Sequence, residues 1–121
     1  MANARIFDTK RGVLSTTDAG TATLDIAVPT NTVLGFEAKI IVKDISSSLG
    51  GHIIQAGSIH NVAGVVALDN TTVSVASVLD ATLATATAVF TANSTNLRLT
   101  VTGVAAIGQV DWQYQIVTII N

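Results

Sequence analysis

Ser58 and His60 are the nearest approach in this sequence to a nucleophile and its base. They stand two residues apart, which on a strand puts both on one face with about 7 Å between them. A serine is activated only by a base at hydrogen-bond reach, and no strained Gly-x-Ser-x-Gly elbow surrounds Ser58. Ordinary polar strand residues explain the pair, and the chain is expected not to be an enzyme. His52 and His60 would have to meet across a hairpin to share a metal, and no third ligand stands at a zinc-like spacing. The acids Asp18, Asp25, Asp44, Asp69, Asp80 and Asp111 are dispersed and fit no calcium-loop pattern. Asp69 with Asp80 is a remaining candidate for a loop cation, although solvated turn carboxylates explain both without an ion. Gly50 and Gly51 stand alone and make no phosphate cradle, so no cofactor is expected.

The elements that would carry these residues are strands. In the last quarter of the chain Leu97, Leu99 and Val101 alternate with Arg98, Thr100 and Thr102, the period-two pattern of a sheet with one buried face. After Gly103 and a small-residue turn, Val110, Trp112, Tyr114 and Ile116 alternate with polar partners up to Gln115. Earlier, Ala22 to Val28 alternates and stops at Pro29, and Val33 to Asp44 sets Leu34, Phe36, Ala38, Ile40 and Val42 on one face. Ser46 to Gly51 reads as a flexible loop. His52 to Ala67 reads as one or two strands broken at Gly57 or at the Asn61 to Gly64 turn. A further strand runs from Val73 towards Asp80. From Ala84 to Thr91 the β-branched threonines favour a strand over the helix that the alanines would allow.

Eight to nine strands spaced by about ten residues, with turn residues between them and no helical period, predict an all-β antiparallel β-sandwich or jelly-roll. Residues 1–12, with few apolar anchors, are expected to be an arm or edge strand, and residues 13–121 a single β-sandwich domain. Phe36, Phe90, Leu97, Leu99, Trp112 and Tyr114 lie on apolar faces and are the expected core. Phe7 is the one aromatic outside such a face.

Composition limits the function classes. The 121 residues carry six Lys and Arg against eight Asp and Glu, a net charge of -2, and the cations are scattered. Phosphate neutralisation needs clustered cations, so nucleic acid is not an expected partner. Without cysteine, neither disulfides nor thiolate metal sites are available. No apolar run approaches the ~20 residues of a membrane span, and the first twenty residues lack the apolar segment of a signal peptide. The chain is expected to be made in the cytoplasm and to have no membrane partner. Charged residues make up only 12% of the chain, against about 25% in ordinary soluble domains. A surface this poor in charge is expected to be covered partly by other subunits. Ile41 interrupts a charged face, and Val117 and Ile119 make both faces of the final strand apolar. These three are the candidate oligomer interface.

The stretches Asn61-Val62-Ala63-Gly64-Val65-Val66 and Thr91-Ala92-Asn93-Ser94-Thr95-Asn96-Leu97-Arg98-Leu99-Thr100-Val101-Thr102-Gly103-Val104-Ala105, with the Trp112 strand ending at Val117, resemble a small β-sandwich of tailed-bacteriophage virion proteins. The resemblance spans about half of the chain and brings no catalytic signature. It implies a non-enzymatic structural part, often trimeric, of the capsid-decoration (cement) or fibre type. The shortness of the chain, without heptads or a repetitive shaft, favours decoration. On that expectation the protein sits as a homotrimer on the capsid surface of the virion, made in the host cytoplasm. It would bind the major capsid protein and oppose separation of the capsomers. Arg5, Phe7 and Arg11 are then the candidate contacts to the capsid or a neighbouring subunit. The alternative is a head or tail fibre domain binding a host receptor or glycan through Ser46 to Gly51 or Asp69 to Thr72.

Overall fold

The computed structural model describes residues 6–69 and 73–121. Nine strands form two antiparallel sheets among the described residues, and the fold is an all-β sandwich. The strands are β1 (Ile6–Thr16), β2 (Thr21–Ala27), β3 (Thr32–Asp44), β4 (Gly50–Val62), β5 (Val65–Leu68), β6 (Val73–Leu79), β7 (Thr87–Asn93), β8 (Asn96–Thr102) and β9 (Val110–Ile120). The larger sheet has six strands in the order β1-β9-β3-β4-β5, with β6 also pairing β4; the smaller has the order β2-β8-β7. β4 is long enough to serve two partners, β6 along Gly51 to Ala56 and β5 along Ile59 to Val62.

Alternation explains which face each strand buries. β3 buries Leu34, Phe36, Ala38, Ile40 and Val42, while β8 of the other sheet buries Leu97, Leu99 and Val101. Trp112 of β9 is completely buried, and each such side chain contributes roughly 1.5–3 kcal/mol by leaving water. The sheets meet at Phe36 and Phe90, whose ring centroids are 4.7 Å apart at a tilt of 39°. This tilted arrangement suits the aromatic quadrupoles.

Two polar side chains are built into this core. The Trp112 Nε1–H donates to Thr16 Oγ1 at 3.1 Å, and both residues are buried. Asn61 donates through Nδ2 to the Val28 carbonyl at 2.8 Å and accepts from the Gly64 N–H at 2.9 Å. The second bond stabilises the β4–β5 turn, where Ala63 and Gly64 both have positive φ, as a two-residue hairpin turn requires.

Several local expectations change. Gly50 and Gly51 open β4 and do not belong to a loop. A Cβ on Gly51 would come within 2.7 Å of Leu79 Cα, and one on Gly50 would overlap the Val42 carbonyl, so the glycines let β3 and β6 close on β4 from both sides. Gly57 does not break β4; its missing side chain makes room for the Phe36 ring, which a Cβ there would meet at 3.0 Å. The strand expected from Ala84 begins only at Thr87. Before it comes a 3-10 turn, Ala81–Leu83, whose first N–H groups are capped by Asp80 Oδ1 accepting from Thr82. From Ile6 onward the N-terminal segment is an edge strand, fully paired with β9, and the boundary expected after residue 12 falls inside β1.

Candidate functional site: the outer face of the larger sheet

Strand register fixes which residues share the outer face. Phe7, Ile119, Gly35 and Ser58 form one row across β1, β9, β3 and β4. The next row is Thr9, Val117, Glu37 and Ala56, followed by Arg11, Gln115, Lys39 and Ile54. Further along, Ile41 pairs with Gln113, and Lys43 with Asp111. All the large apolar members at the front of this face are open to solvent: Phe7 is 69% exposed, Ile119 44%, Ile41 43% and Val117 40%. Arg5 lies outside the described residues. Phe7 and Arg11 are thus not on a free arm but on the same sheet face as Val117 and Ile119, and the register makes Phe7 the direct neighbour of Ile119.

The face has relief. Gly35 carries no side chain and Ala56 a small one, leaving a shallow trough of about 430 Å³ between the Val117–Ile119 ridge and β4. A Cβ on Gly35 would meet nothing nearer than 4.0 Å. The charges are mixed, with Arg11, Lys39 and Lys43 against Glu37 and Asp111. Asp111 accepts from Gln109 and Ser15, and these bonds, with Lys43 nearby, hold its carboxyl below the usual carboxylate range.

The expected core residues Phe36, Phe90, Leu97, Leu99 and Trp112 are all buried. Tyr114 packs against the core but is only half-buried. Its ring lies over Gly12 on the edge strand, where a Cβ would come within 2.8 Å of Cζ.

At the β4–β5 end of the same face sits a polar cluster. Ser58 Oγ donates to Asp69 Oδ2 at 2.5 Å, and His60 Nδ1 meets Asp69 Oδ1 at 2.5 Å. The Ser58 hydroxyl bond above all, then His60, holds the Asp69 carboxyl below its usual range against a small opposing effect of burial. The hydroxyl is bonded to the acid and not to the imidazole, which is the wrong order for activating a nucleophile. This partnership was within reach of the sequence. With Ala63 and Gly64 at the turn, Ile59 pairs with Leu68, so the next pair outward is Ser58 with Asp69.

The two histidines do not meet. His52 and His60 lie on one continuous strand, eight residues and so about 26 Å apart. Asp69 and Asp80 are separately engaged, Asp80 with the Thr82 N–H and hydroxyl. Among the described residues no three His, Asp or Glu side chains converge as a metal site needs. The Ser46 to Gly51 stretch is tied down at its start, since the hydroxyls of Ser46 and Ser47 donate to the buried Asp44 carboxylate.

A scan against models of protein families finds no match, and neither does a comparison with curated proteins. Among solved structures, the tailspike protein of Acinetobacter phage vB_ApiP_P1 is similar in arrangement, with a TM-score of 0.42 and 12% identity. The similarity covers 95% of this chain and 21% of the tailspike, so the chain spans about a fifth of that protein's length.

Proposed function

We propose that the chain is a structural β-domain of a tailed-phage virion, of the fibre or tailspike type, that works by assembly and binding and not by catalysis. The observation that carries this reading is the open apolar front of the larger sheet, where Phe7, Val117 and Ile119 stand together in a chain poor in charge. Such a face is costly to leave in water and marks a surface that a neighbouring protein covers. The sequence resemblance to virion β-sandwiches supplies the setting. From Ile6 onward the N-terminal residues are paired with β9 as an edge strand, so any contact made by Phe7 or Arg11 comes from the sheet face and not from a free arm.

Electron microscopy of virions labelled with an antibody to the chain tests the reading. Label on the tail or its fibres is expected, and purified protein should compete with phage for adsorption to host cells. Label confined to the capsid shell would overturn the fibre assignment and restore decoration. Absence from the particle would overturn the virion role altogether.

A further inference from the structure

We infer that the outer face of the larger sheet carries a binding site for an acidic saccharide, in the hollow where Arg11 of β1 and Lys39 of β3 flank Gln115 of β9. The inference rests on the fibre-type reading above and names the ligand class. The site lies beyond the apolar front formed by Phe7, Val117 and Ile119.

The hollow has a volume of about 530 Å³ and is lined by Arg11, Val13, Lys39, Ile41, Gln113 and Gln115. Two register rows build it. Arg11, Gln115 and Lys39 stand side by side in one row, and Val13, Gln113 and Ile41 in the next. With strands about 4.8 Å apart, the two cations start roughly 10 Å from each other on either side of a glutamine. Both side chains are long enough to reach a single carboxylate held above Gln115.

Charge singles this hollow out. Lys10 is paired with Asp8 at 2.9 Å, Arg98 with Asp25 at 2.8 Å, and Lys43 stands opposite Asp111 in register. Among the described residues Arg11 and Lys39 make no such ion pair, and both line the same hollow. The acids of the face, Glu37 and Asp111, lie in the rows on either side of it, and Asp111 is already engaged by Ser15 and Gln109. On a chain with a net charge of -2, this is a local site and not a general attraction to anions.

The uncharged residues select the kind of anion. An amide both donates and accepts hydrogen bonds, as a sugar hydroxyl does, whereas a carboxylate or an inorganic anion only accepts. Gln113 and Gln115 are exposed beside the cations and supply two such amides. Val13 and Ile41, also exposed, border them with apolar surface suited to the C–H face of a sugar ring.

An NMR titration of the full isotope-labelled chain with trigalacturonic acid tests the site, with the neutral methyl ester as control. The side-chain amide signals of Gln113 and Gln115 are expected to shift saturably with the acid and far less with the ester. Arg11→Gln and Lys39→Gln should each weaken binding about tenfold, the loss of one charge-assisted hydrogen bond. Lys10→Gln, which removes the same charge from the pair with Asp8, should leave it unchanged. The backbone spectrum shows whether each variant keeps the fold, and the two site variants lie on different strands, so either suffices if the other misfolds. No saturable shift, or an affinity indifferent to both substitutions, would overturn the inference. Equal shifts with sulfate would reduce the hollow to a bare anion site, and tighter binding of a glutamate tripeptide would make it a protein contact; either outcome refutes the saccharide. A failed titration by a chain still found on virion tails would refute the site and leave the proposed function standing. Saturable binding by a chain absent from virions would do the reverse.

Discussion

Thr16 and Trp112 show what a single buried hydroxyl contributes. The indole N–H is enclosed, and Thr16 Oγ1 accepts its hydrogen bond. Thr16→Val keeps the shape and removes the acceptor, so the N–H stays buried without a partner, at a cost of about 1–3 kcal/mol. Urea unfolding followed by the fluorescence of Trp112, the only tryptophan, measures it directly. Asp69 gives a second residue-scale expectation. Its carboxyl is held below the ordinary value of 3.8, chiefly by the Ser58 hydroxyl. A depressed folded pKa stabilises the fold above the unfolded value, and this contribution is lost as pH falls through the folded one. Ser58→Ala should therefore move the Asp69 titration, followed by carboxyl carbon NMR, upward towards 3.8 and shrink the acid-induced loss of stability. An unmoved titration would show that the hydroxyl is not the cause. The sequence made Trp112 legible as core, because its strand alternates. Neither its Thr16 partner nor the inward-facing Asn61 was legible, since a short polar side chain carries the same signal whether it bonds to the core or to water.

At the scale of elements, period-two alternation located β2, β3, β8 and β9 nearly to the residue, because each has one buried face. It was half right at β4, where both faces are partly covered and the pattern blurs: the Asn61 to Gly64 turn, one of the two breaks expected there, does separate β4 from β5, while Gly57 lies within the strand and Gly50 and Gly51 open it where a loop was expected. The structure assigns those glycines to close strand approach. Gly51→Ala would drive a Cβ against the backbone of β6, which cannot rotate away as a side chain can, and should cost about 3 kcal/mol. A thermal scan of this variant beside Gly35→Ala, where the space is open, tests the difference. Equal unfolding temperatures would contradict the account. The misplaced start of β7 has a similar origin: alternating Ala and Thr from Ala84 satisfies a strand pattern, but Asp80 caps the preceding residues into a 3-10 turn.

For the whole molecule, low charge raised the expectation of a covered surface without saying where, and only register gathers the exposed apolar residues of the larger sheet. Phe7 and Ile119 are separated by nearly the entire chain and become neighbours through the pairing of β1 with β9. That pairing also governs the order in which the protein can fold. β1 acquires its sheet partner only when β9 has left the ribosome, and β3 keeps an unpaired edge beside Leu34 to Val42 until the same moment. Closing a loop this long is slow, and the waiting chain presents two unsatisfied edges to its neighbours. Removal of residues 110–121 should accordingly yield aggregates in place of a trimmed domain, measurable as loss of the chain from the soluble fraction after expression. The final strand is in this sense a latch, and assembly of any larger structure has to wait for it to engage.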